Sequence, residues 1–149
     1  MAKSRIVSEI QEKLDPTKPR EVVDYALQRK AALAEVARGR LFREEICDAD
    51  PNLKRTSRWH GIVTSRFCPV CEIEKLREIS YVFSKELGPF SGRIKKPQEI
   101  SEMSLNFGQI RVFVVEICEL CGWNHLHSSY VVGDGNPRKP LRKPPDWLD

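Results

Sequence analysis

The chain of 149 residues contains no run approaching the roughly 20 apolar residues that cross a bilayer, and its start, Met1-Ala-Lys-Ser-Arg-Ile-Val-Ser-Glu9, lacks the apolar segment of a signal peptide. A soluble, cytoplasmic protein with no membrane partner is expected. Nor is one sign of charge in large excess: 25 Lys+Arg stand against 21 Asp+Glu, a net of +4. A case for nucleic acid must therefore rest on where the charges fall. There is no phosphate-cradling glycine loop, no arguable Ser-His-Asp arrangement and no carboxylate pair with an evident acid-base role. No catalytic residue and no small-molecule substrate can be assigned, so a non-enzymatic protein is expected. With 40% hydrophobic residues the chain can bury one modest core or two small ones.

What is present is a matched pair of short motifs, Cys68-Pro69-Val70-Cys71 and Cys118-Glu119-Leu120-Cys121, each beside a strand-like run. Such a turn aims two sulfurs at one point, and two of them offer four thiolates in the tetrahedron that a structural zinc ion takes. Cys68, Cys71, Cys118 and Cys121 are therefore read as one zinc site with a closed coordination sphere and no open position for water. Two alternatives remain. The same ligands hold a single iron in rubredoxin-like electron carriers, and Cys68-Pro-Val-Cys71 alone suits a thiol oxidoreductase if Glu72 to Ser80 form a helix. Of the five cysteines Cys47 is left over, and beside Ile46 on an apolar helix face it reads as a small buried residue and not a nucleophile. His125 and His127 are not needed as ligands. Trp123 is expected to pack on the second turn and Asn124 to hydrogen-bond it.

The rest of the chain falls into four parts. Residues 1–18 are an N-terminal arm. Residues 19–61 read as a three-helix unit: Arg20 to Arg38 with apolar positions three and four apart, Phe42 to Asp48, and a third from Asp50-Pro51 to Gly61. Residues 62–133 read as an antiparallel zinc-ribbon-like sheet, with strands from Ile62, through Leu76 to Phe83, from Ile110 to Ile117 and from Leu126 to Val132, and an insertion at 84–106. The Pro- and Lys/Arg-rich residues 134–149 read as a disordered tail. The fold class expected is α+β.

Pro51 to Cys71 carries no acidic residue. Lys54, Arg55 and Arg58 on the third helix, with Arg66 ahead of the first cysteine turn, make a basic patch that suits contact with phosphates in a helix-turn-helix-like unit. The competing reading is a solvated basic face on a plain packing unit. Arg93, Lys95 and Lys96 in the insertion form a candidate interaction loop.

Val22-Val-Asp-Tyr-Ala-Leu, Glu45-Ile-Cys-Asp-Ala-Asp-Pro-Asn-Leu-Lys-Arg, Cys68-Pro-Val-Cys71 and Cys118-Glu-Leu-Cys-Gly-Trp-Asn-His-Leu126 together resemble an actinobacterial family of small proteins of unknown function. The resemblance covers about residues 20 to 133. It implies a non-secreted, zinc-binding protein and brings no activity with it. More loosely, the paired turns are similar to the zinc ribbons of transcription and translation proteins. The partners expected are DNA or RNA, or the transcription machinery. The alternative is a protein-interaction adaptor that uses the ribbon as scaffold.

Overall fold

The computed structural model describes residues 14–140. Residues 1–13 of the expected N-terminal arm and residues 141–149 of the expected tail lie outside them. The described chain is α+β, with an antiparallel sheet in the order β1-β6-β5-β3-β2. Its strands are β1 (Arg20–Asp24), β2 (Ile62–Phe67), β3 (Lys75–Phe83), β4 (Arg93–Ile94), β5 (Ile110–Ile117) and β6 (Asn124–Val132). The short β4 pairs with the far part of β3. The α-helices are α1 (Ala26–Ala37), α2 (Arg43–Ile46), α3 (Pro51–His60) and α4 (Pro97–Ser104). A 3-10 segment covers Lys85–Phe90.

Local chemistry explains most of these elements. Asp50 caps α3 by accepting from the Asn52 N–H at 2.7 Å, Pro51 fills the first turn where no N–H is needed, and Arg58 and His60 sit at the negative end of the helix dipole. The β-branched run of β5 buries every second residue, Ile110, Val112, Val114 and Glu116, against the core. Its neighbours β3 and β6 hold it in long antiparallel registers.

The N-terminal half departs from the three-helix unit expected of it. The helix expected from Arg20 begins only at Ala26, where Asp24 Oδ1 accepts the Ala26 N–H at 2.7 Å. Residues 20–24 are instead a strand on the edge of the sheet, Arg20 opposite Val131 and Asp24 opposite Ser128. Val22 and Val23 suit either state, and the open edge of β6 decides it by offering partners for the backbone. The second helix shrinks to the four residues of α2, too short for the first helix of a helix-turn-helix. The helices do not form a unit apart: α1 packs on β6 and α3 on β3.

The start of the expected tail is also tied down. The Gly135 N–H donates to the Gly108 carbonyl at 2.8 Å and the Asp134 N–H to Phe107 at 3.0 Å. The buried Glu86 carboxylate gathers the N–H groups of Gly108, Gln109 and Arg138 at 2.9–3.1 Å. Composition misses this because the partners are backbone amides.

The interior has two clusters. Val82, Leu87, Ile100, Ile110, Val112, Val114 and Val132 form one. Cys68, Leu76, Cys118 and Trp123 form the other, with Ala32, Leu33, Ile46 and Cys47 packed against it.

Candidate metal centre

The two cysteine turns end β2 and β5, and each folds back by the same hydrogen bonds. The Cys68 N–H donates to the Glu74 carbonyl and the Cys118 N–H to that of Trp123, both at 2.8 Å. The Glu72 N–H returns to the Cys68 carbonyl and the Gly122 N–H to that of Cys118, both at 3.0 Å. Both turns then need a left-handed residue after the second cysteine, Glu72 at φ 58° and Gly122 at φ 90°. At 122 only glycine fits, since a Cβ would come within 2.9 Å of the Cys47 carbonyl oxygen.

The sulfurs of Cys68, Cys71, Cys118 and Cys121 all lie within 4.8 Å of one another, a group that can hold a metal ion. Cys68 to Cys121 and Cys71 to Cys118 are both 3.6 Å. A tetrahedron with metal–sulfur bonds of about 2.3 Å has edges of about 3.8 Å, so the donor set fits a tetrathiolate site without rearrangement. Backbone N–H groups of Val70, Cys121 and Trp123 point at Cys68, Cys118 and Cys121 sulfurs at 3.4–3.5 Å. These donors stabilise charge on the sulfurs. Burial pushes the thiols of Cys68 and Cys121 up to about 11 and about 12. At Cys71 burial acts the same way but is outweighed by the N–H groups of Glu74 and Ile73, which bring it down to about 7. A bound cation would displace the protons that burial retains.

The helix that the rival oxidoreductase reading needs after Cys71 is absent: β3 starts at Lys75. Trp123 is buried in the cysteine cluster as expected, and Asn124 Nδ2 donates to the Gly122 carbonyl at 3.1 Å. The His125 ring stacks on Trp123 at 5.8 Å, and His127 Nδ1 lies 3.2 Å from the Ser128 hydroxyl. Neither belongs to the sulfur group.

The basic patch converges on this centre and is partly consumed by it. Arg58 on α3 binds Glu119 of the second cysteine turn at 2.5 Å, and Arg77 reaches the same carboxylate at 3.6 Å. Arg66 binds Glu78 at 2.6 Å and approaches Glu116 at 3.8 Å. The Lys54 stem lies against Gly122, while Arg55 is exposed and makes no ion pair among the described residues. In the insertion, Arg93 covers the Phe90 ring at 5.1 Å and Lys95 pairs with Glu99 at 3.8 Å; Lys96 is exposed at the start of α4.

Sequence reasoning passed over Glu116. Its side chain is 0% exposed, paired with Arg29 of α1 at 2.8 Å, and accepts the Trp123 indole N–H at 3.1 Å. It ties α1 to the cysteine cluster. The alternation Ile110, Val112, Val114, Glu116 is the signal that places it inside.

A model of a family of unknown function, DUF5318, matches residues 17–145. The chain belongs to that family. Proteins of Mycobacterium tuberculosis (strain H37Rv) and Mycobacterium bovis, both called uncharacterized, are 42% identical to it over 120 residues, covering 80% of this chain and 88% of each relative. The actinobacterial resemblance in the motifs is thus a family relationship. No solved structure matches the chain. Among the described residues no helix is long and apolar enough to cross a membrane.

Proposed function

We propose that this protein is a non-enzymatic zinc protein, in which Cys68, Cys71, Cys118 and Cys121 close a structural tetrathiolate site of zinc-ribbon type. The observation that carries the reading is the 3.6 Å spacing of sulfurs from two turns with matching backbone geometry. Thiolates are soft ligands that favour zinc over the hard divalent cations, and four of them leave no position for a reacting water. The site then works as a clamp. It joins the β2–β3 and β5–β6 hairpins, and through the Glu119–Arg58 pair and the Ala49 N–H on the Gly122 carbonyl at 3.0 Å it holds α3 in place.

What the clamp presents is the α3–β2 stretch, and its partner on this reading is DNA or RNA, met in a transcription-associated role. Lys54 and Arg55 supply the charge, and Trp59, 72% exposed at the end of α3, supplies a face on which a base can stack. Arg58 and Arg66 contribute only by exchanging a carboxylate for a phosphate. A protein-interaction adaptor is the second reading, favoured by the exposure of Ile62, Val63 and Phe67 on the adjoining edge strand.

Metal analysis of protein purified without added chelator should find zinc bound to the chain, and a stably folded metal-free or iron-loaded sample would sink the zinc assignment. Binding to single- and double-stranded DNA and RNA at low salt should fall with added salt and on combined Lys54→Ala and Arg55→Ala substitution. Absence of binding to all of them, with protein partners retained after nuclease treatment, transfers the function to the adaptor reading.

A further inference from the structure

Five sulfurs, not four, meet at the cysteine end. Cys47 Sγ lies 3.7 Å from Cys121 Sγ, yet stands outside the group of four that share one centre. Zinc is saturated by four thiolates, so Cys47 is left as a thiol touching a ligand. The backbone keeps it there: the Ala49 N–H holds the Gly122 carbonyl, and the Cys47 carbonyl lies against Gly122. Cys47 and Cys121 are both half-buried and, with Arg43 and Glu44, line a depression of about 290 Å³, large enough to admit a peroxide molecule. A disulfide needs its sulfurs about 2 Å apart, and these two already stand at 3.7 Å.

We propose that Cys47 is an oxidant-reactive thiol that forms a disulfide with Cys121 and so withdraws a ligand from the metal. The ligand-withdrawal part rests on the tetrathiolate reading above. Cys47 sulfur attacks one oxygen of hydrogen peroxide; the O–O bond breaks, water leaves and Cys47 becomes a sulfenic acid. Cys121 sulfur then attacks Cys47 sulfur; the S–S bond forms, the S–O bond breaks, and the departing hydroxide becomes water on taking a proton. Two thiols give up two electrons in all, and one peroxide is reduced to two waters. Cys47 is the sulfur without a metal bond, so it reacts without a coordinate bond breaking first. Cys68, Cys71 and Cys118 are left as three ligands, and the second turn holds the metal by Cys118 alone.

The test uses the full chain, loaded with zinc and treated with hydrogen peroxide, with zinc release followed by a chromogenic chelator and disulfides mapped by peptide mass. Wild type should acquire a Cys47–Cys121 link in step with zinc release, and a thiol reductant with added zinc should reverse both. Cys47→Ser and Cys47→Ala should bind zinc as wild type does and release it on the order of tenfold more slowly, because the adjacent thiol that peroxide oxidises first is gone. Release at the wild-type rate from both variants, or links among the four ligand cysteines alone, overturns the proposal. Lower zinc content in both variants also overturns it, by making Cys47 a ligand. A wild-type chain that binds no zinc removes ligand withdrawal together with the metal reading, and the mass map then decides on the thiol pair alone.

Discussion

The two ends of the sheet are held by different chemistry. At one end β3, β5 and β6 contribute Val82, Ile110, Val112, Val114 and Val132, closed over by Leu87 and by Ile100 of α4. At the other end the same three strands begin or finish in Leu76, Cys118 and Trp123, and α1 and α2 add only small or half-buried side chains such as Ala32, Leu33 and Ile46. The first end has enough hydrocarbon to exclude water by itself. The second has sulfurs, an ion pair and a single large aromatic, and burial makes the Cys68, Cys118 and Cys121 thiols resist ionising. A polar pair inside a thin core specifies an arrangement more than it stabilises one. On the metal reading the second end depends on what its sulfurs bind, while the first does not.

The strongest way to break this contrast is to remove a ligand. Cys118→Ser should abolish tight zinc binding and forfeit much of the roughly 10 kcal/mol that a structural tetrathiolate site can contribute. Thermal unfolding should then show a large fall in midpoint that added zinc does not restore, and wild type treated with a strong chelator should behave alike. An unchanged midpoint would show that the cysteine end stands without metal.

Glu116→Ala comes next. It leaves Arg29 without its carboxylate and the buried Trp123 indole N–H without an acceptor, a loss of about 3–5 kcal/mol. Urea unfolding of zinc-loaded protein measures it, and Glu116→Gln should recover part by keeping the acceptor for Trp123. The smallest expected effect sharpens the contrast from the other side: Ile110→Ala should cost about 3 kcal/mol through a cavity in the hydrocarbon end, with zinc content unchanged. Zinc lost along with stability would join the two ends into one cooperative unit.

Much of the α+β arrangement was legible because local and tertiary preferences agree there. Asp50-Pro51 is both a cap and a first-turn proline, and α3 starts where they predict. The β-branched β5 has no competing helical pattern, and the paired C-x-x-C spacing brings four sulfurs together across the 46 intervening residues. What escaped the sequence is decided by distant partners. Val22 and Val23 fit the apolar spacing of a helix, and only the edge of β6 makes them a strand. Glu86 was hidden for the same reason, since its role is fixed by amides of residues far along the chain. At the candidate site, the group of four cysteines was readable from spacing, but the nearness of Cys47 and the capture of Arg58 by Glu119 were not. Both follow from how the 47–50 loop docks on Gly122.

The strand β1 also sets an order of assembly. It leaves the ribosome ahead of every other described strand, yet its partner β6 is completed only when Val131 and Val132 have been made. Closing a loop of that length carries an entropic penalty that grows slowly with length, but contacts so far apart in sequence form late and slow the folding of the whole. Both cysteine turns are complete in the sequence by Gly122, before β6 begins at Asn124. The sulfur cluster joins positions 53 apart in the sequence, about half the separation of Arg20 and Val131, so the N-terminal edge of the sheet is the costlier closure.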